Sequence, residues 1–189
     1  MFQLTLVGKI DEMRKPNLNI VAFALIILAG SAFGQNNNFP DRKALILNKS
    51  PQVEITDFSF ANTFSGGRTR FQQSGTWRNI GSVPIVAFEI VILKYDAFDQ
   101  RTFGTRWTVT GKNSADWRPL APDENASDAI LSIGTEDVLT GIAYVRSVRL
   151  SDGAVWRANL AETQAEIRKL APKLKEFGSL EPDLKQKSD

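Results

Sequence analysis

Among its 189 residues the chain has no cysteine and no histidine. Without Cys there is no disulfide, no thiol nucleophile and no thiolate metal ligand. Without His there is no Ser-His-Asp or Cys-His triad, and none of the usual Cys/His zinc or haem ligation. An excess of one charge is missing as well, since 23 Lys+Arg stand against 21 Asp+Glu for a net charge of +2. Proteins that neutralise phosphate backbones carry a larger basic surplus, so nucleic acid is not an expected partner. No cofactor motif is present, and no cofactor is expected. What remains is ordinary globular composition, 42% hydrophobic and 23% charged with 13 Gly and 8 Pro, sufficient for one domain.

The N-terminal region has the layout of a secretory signal. Arg14 and Lys15 form a positive n-region, Ile20 to Ala29 is apolar without a charge, and Ala32-Phe33-Gly34 places small residues at both positions a signal peptidase needs. Cleavage after Gly34 is expected, making residues 1–34 the signal peptide and Gln35 the mature N-terminus. Asp11 and Glu12 would put negative charge into the n-region, so Met13 is an alternative true start. The apolar stretch Ile20 to Phe33 is shorter than the roughly 20 residues that span a bilayer. No Cys follows it for lipid attachment, and the C-terminus has no hydrophobic tail. The expectation is a periplasmic or secreted protein, bacterial in type, that is not membrane-anchored after cleavage.

Residues 35–52 are polar and read as a linker, apart from the short apolar run Ala44-Leu45-Ile46-Leu47. Residues 53–158 have the pattern of strands. Val53 to Phe60 alternates imperfectly. Phe71 to Asn79, Pro84 to Tyr95, Arg101 to Thr110, Ala129 to Ile133 and Thr140 to Leu150 follow, each rich in β-branched or aromatic residues. Ser65-Gly66-Gly67, Gly81-Ser82, Gly111-Lys112-Asn113 and Ser151-Asp152-Gly153 punctuate them as turns. Strands without helical period between them predict an all-β fold, an antiparallel β-sandwich of immunoglobulin-like type. In residues 159–178 the period changes: Leu160, Ile167, Leu170, Leu174 and Phe177 recur at helical spacing, with Pro172 as a kink and Gly178 as a stop. This predicts a C-terminal amphipathic helix docked on the domain, followed by a polar tail over 179–189.

Candidate sites are few. Each Trp has an Arg neighbour, at Trp77-Arg78, Arg106-Trp107, Trp117-Arg118 and Trp156-Arg157. Strand neighbours point to opposite faces, so Trp77, Trp107 and Trp156 read as core with Arg outside. Trp117, beside Pro119 in a long loop, reads as the exposed aromatic. Asp123-Glu124-Asn125-Ala126-Ser127-Asp128 begins like a calcium loop, but Asp128 stands where Gly is needed and Gly134 where a bidentate Glu belongs, so it reads as a solvated turn. Asp96 with Asp99, and Glu136 with Asp137, are the acidic pairs open to general acid and base chemistry. The run Ile85 to Leu93 is apolar on both faces, so Ile85, Ala87, Val91 and Leu93 are either covered by the C-terminal helix, the favoured reading, or form a binding surface together with Trp117.

The stretch Ser74-Gly75-Thr76-Trp77-Arg78-Asn79, followed by a long apolar strand ending Lys94-Tyr95-Asp96, resembles the FxLYD-type domains and the related late-embryogenesis-abundant (WHy) domains. Ile92 and Lys94 replace the Phe and Leu of that pattern. The resemblance implies an immunoglobulin-like sandwich and a non-enzymatic extracytoplasmic module, with no catalytic residues to carry over. The functional expectation is an exported interaction module whose partner is an envelope protein or polysaccharide. The alternative is a carboxylate-dependent, carbohydrate-active hydrolase or a carbohydrate-binding protein.

Overall fold

A computed structural model describes residues 42–174, 177, 178 and 180, so the expected signal segment lies outside the described residues. Eight strands and one helix follow in chain order: β1 Lys43–Leu47, β2 Val53–Ser65, β3 Arg68–Asn79, β4 Ile85–Tyr95, β5 Thr105–Thr110, β6 Asn125–Ile133, β7 Thr140–Leu150, β8 Val155–Arg157 and α1 Leu160–Leu170. They form two sheets. One has the order β2-β3-β6, the other β1-β7-β4-β5, with β8 also paired to β7. The chain changes sheet between β1 and β2, between β3 and β4, between β5 and β6, and between β6 and β7.

Period-two patterning sets the inner faces. On β3, Phe71, Gln73, Gly75, Trp77 and Asn79 are buried, while Arg70, Gln72, Ser74, Thr76 and Arg78 turn the other way. β2 breaks the rule because a bulge between Ile55 and Asp57 inserts one residue. Val53, Ile55 and Phe58 can then all face inward, which is the physical origin of the imperfect alternation in the sequence. Between the sheets, the Trp77 ring meets Phe88 and Trp107 edge-on, with centroids 5.2 and 5.3 Å apart. Trp156, expected in the core, is half-buried and packs against the margin of this cluster.

β4 buries both faces. Phe88, Ile90 and Ile92 join the core between the sheets, whereas Val91, Leu93 and Tyr95 lie on the outer face with Ile142 and Tyr144 of β7. Covering that outer face are Ile167 of α1 and, beyond it, Ala171, Leu174, Phe177 and Leu180. The Tyr144 hydroxyl donates to the Leu180 carbonyl oxygen at 2.8 Å. Helix α1 starts where the Asn159 side chain accepts from the Ala161 and Glu162 amides. It ends at Leu170, short of the expected 178, because the residue before Pro172 is disfavoured in helical conformation and Ala171 adopts ψ 68°.

Two expectations are corrected by pairing. Residues 43–47 of the supposed linker form β1, parallel to β7 in the register Lys43↔Thr140 to Leu47↔Tyr144, because Leu45 and Leu47 contribute to the outer apolar cluster. Residues 125–128 of the supposed solvated turn open β6 and pair with β3 from Arg78↔Asn125 onward.

Candidate functional site

β5 pairs only with β4 and β6 only with β3, so among the described residues the two sheets leave these edges unpaired on the same flank of the sandwich. Between them lies an open groove of about 740 Å³, bounded by Thr105 and Arg106 of β5 and by Ile130 to Ile133 of β6. Its rim is apolar: Phe103 is 62% exposed, Leu131 51% and Ile133 80%. Gln73, Lys94, Asp96, Glu136 and Asp137 supply polar lining.

Lys94 shares the inner side of β4 with Ile90 and Ile92, which is why a lysine is only 4% exposed here. Its ammonium forms an ion pair with the Glu136 carboxylate and lies 5.4 Å from the centroid of the Phe71 ring. Glu136 is held at several atoms. Its amide donates to Asn62 Oδ1 at 3.1 Å, its carbonyl oxygen accepts from Arg42 Nη2 at 3.3 Å and Asn62 Nδ2 at 3.4 Å, and Ser132 Oγ donates to Oε1 at 3.2 Å. Burial pushes the Arg42 guanidinium below its ordinary value, and the Asp137 carboxylate opposes that shift.

Gln73, 3% exposed, leaves its Oε1 buried with no hydrogen-bond partner among the described residues, as Trp107 leaves its Nε1. A buried acceptor left this way costs about 1–3 kcal/mol. Arg106 pairs with Glu89 at 3.2 Å and Lys94 with Glu136, so the remaining charged lining is Asp96 and Asp137. Asp96 Oδ1 accepts from the Phe98 and Gln100 amides at 2.8 and 2.9 Å. The Asp96 and Asp99 pair therefore belongs to a turn, with Asp99 at φ 61°. Lys94, Gln73 and the β5/β6 edges escape a sequence reading because pattern alone does not show which strands end up at an edge.

The residues named from sequence do not meet at one surface. Ile85, Val91 and Leu93 are each 0% exposed, which corrects their reading as a binding surface. Ile85 lies between the sheets, and Val91 and Leu93 lie in the cluster closed by α1 and the segment after it. Trp117 is 74% exposed but is not part of the groove. Its loop is tightly built. Gly111, at φ +75°, passes so close that a Cβ there would sit 2.4 Å from the Asp116 carbonyl oxygen. Arg118 bridges Asp116 and Glu124, and Lys112 reaches Glu124 at 3.0 Å. Hydrogen bonds from Arg118, then from the Ala121 amide and Lys112, hold the Glu124 carboxyl at about 2. No group of three or more His, Cys, Asp or Glu among the described residues is placed to hold a metal ion.

No family model matches the chain, and no curated protein matches it. Among solved structures, it is similar to a hypothetical protein from Peptoclostridium difficile 630 at 14% identity, covering 64% of this chain and 92% of that one with a TM-score of 0.45. It is also similar to the Northeast Structural Genomics Consortium target SoR45 at 16% identity, covering 57% of this chain and 79% of that one with a TM-score of 0.35. Likeness at this level identifies no activity for the chain.

Proposed function

We propose that the protein is an exported, non-enzymatic interaction module that takes its partner in the groove between β5 and β6. The observation that carries this reading is the groove walled by two unpaired strand edges and rimmed by the exposed Phe103, Leu131 and Ile133. Exposed apolar side chains beside free strand edges support a surface that takes a partner. Counting from β2, the first, second and fifth strands share one sheet, and the third, sixth and seventh share the other. That order supports an immunoglobulin-like sandwich with its fourth strand moved beside the third, in line with the resemblance to FxLYD-type and WHy domains. In this reading Tyr95 and Asp96 of the shared motif have structural duties, one buried beneath the C-terminal segment and the other closing a turn. Export rests on Arg14, Lys15, the apolar Ile20 to Ala29 and the Ala32/Gly34 pair, so the partner belongs to the cell envelope.

Asp96 and Asp137 in the same groove favour a second reading, a carbohydrate-active hydrolase. A photo-crosslinking residue at position 131, compared with one at position 76 on the polar outer face, separates the two. A discrete adduct at 131 and none at 76 supports the module. Glycan turnover abolished by Asp96→Asn replaces it with the enzyme. N-terminal sequencing of the exported form tests cleavage and should return Gln35, whereas a sequence from residue 1 or 13 refutes it.

A further inference from the structure

β6 is an unusually unguarded edge. Edge strands are normally blunted by Pro, Lys, bulges or a covering loop. Asn125–Ile133 contains no Pro, Lys or Arg, and its register with β3 runs without a shift from Arg78↔Asn125 to Arg70↔Ile133. β2, at the far edge of the same sheet, does carry a bulge. The first half of β6 has one cover, because the Ser114 amide donates to Asp128 Oδ2 at 3.1 Å. The Ala129 amide is also taken, donating to Asp128 Oδ1 at 2.8 Å, which leaves its carbonyl and Ile130 to Ile133, bordering the groove, without cover among the described residues. Alternate residues along such an edge direct N–H and C=O groups away from their only neighbour.

Resting on the binding-module reading, we infer that the groove takes an extended, basic-flanked apolar polypeptide, which adds as a strand to the Ala129–Ile133 edge. Three features select that chemistry. A strand supplies donors and acceptors at the spacing of the β6 edge, which an acyl chain cannot. It also brings apolar side chains to Phe103, Leu131 and Ile133. Charge adds the third feature: with Lys94 and Arg106 committed to Glu136 and Glu89, the lining presents Asp96 and Asp137. Arg42 reaches the field of Asp137 from outside the lining, and among the described residues no ion pair engages Asp96. Basic residues flanking the apolar stretch complement that acidity. The β6 of a second copy would bring Asp128 and no base.

The probe is an array of nonapeptides with Lys at both ends and Val, Ile, Leu or Thr at the five central positions, titrated against the isolated protein. Binding members should slow amide hydrogen exchange across Ala129 to Ile133. N-methylation of alternate backbone amides, or replacement of the flanking Lys by Asp, should each weaken binding by about tenfold or more, the worth of one or two hydrogen bonds. Leu131→Lys, which guards the edge on an outward-facing position, should abolish binding with an unchanged circular dichroism spectrum. The inference is overturned if no peptide binds, if the N-methylated peptides bind equally well, if myristate takes the groove in their place, or if the same amides are protected by self-association alone. An adduct at position 131 with no peptide binding would sink the strand-addition inference and leave the binding-module reading standing; no adduct at 131 would remove that reading itself.

Discussion

Single side chains in this protein carry unequal risk, and Lys94 carries the most. An ammonium at 4% exposure stays where it is because Glu136 faces it. Glu136→Ala should therefore cost about 3 kcal/mol in urea unfolding, since it strands a buried charge. Lys94→Met combined with Glu136→Gln should recover most of that loss, because the pair's desolvation disappears with its attraction. Glu124 sets a different dependence. Its carboxyl is held at about 2, below the ordinary 4.5, chiefly by Arg118. A depressed folded value contributes stability above the unfolded value and loses it as pH falls. Thermal midpoints should thus decline between pH 4.5 and pH 2, and Glu124→Gln should flatten part of that decline. Neither role is legible in the sequence, where Lys94 reads as an ordinary strand residue and Glu124 as part of a failed calcium loop. Which charge meets which is decided for Lys94 and Glu136 by where the β6–β7 connection passes β4, 42 positions apart in the chain. For Arg118 and Glu124 a turn of only six residues decides it.

At the level of elements, the strands were legible and their edges were not. Val53, Phe71 to Asn79, Thr140 to Leu150 and the rest announce themselves by β-branched and aromatic runs between Gly-rich turns, and the structure places strands there. β1 was hidden because four apolar residues in a polar stretch resemble noise until β7 offers a partner. The helix was legible in period and overlong in extent, since Leu174 and Phe177 keep the apolar spacing after Pro172 has ended the helical hydrogen bonding. Packing between elements turns on Gly141 of β7. A Cβ there would lie 2.7 Å from Phe60 Cε1 and 3.3 Å from Phe58 Cε1. Gly141→Ala should cost about 1–3 kcal/mol through overpacking, and Phe60→Leu in the same chain should recover part of it, both read from denaturant midpoints. Tyr144→Phe tests the C-terminal cover: losing the bond to Leu180 should cost about 1 kcal/mol. It should also raise binding of an apolar dye to the face formed by Val91 and Leu93.

For the molecule as a whole, the all-β class followed from period and punctuation, whereas the groove depends on how two sheets close. No local pattern distinguishes a central strand such as β4 from edges such as β5 and β6, except that β4 is apolar on both faces. Read as a face covered by the C-terminal helix, that signal holds for Val91 and Leu93, whereas Ile85 lies between the sheets. Fluorescence checks the global arrangement: Trp77 and Trp107 should resist acrylamide quenching and Trp117 should be quenched freely. The outer cluster ties together β1, β4, β7, α1 and Leu180, so Leu45 and Leu47 of β1 are paired with residues 142 and 144 and covered by a segment that reaches position 180. A growing chain therefore carries the apolar run of β1 uncovered on that side until residue 144 has left the ribosome, about a hundred positions later.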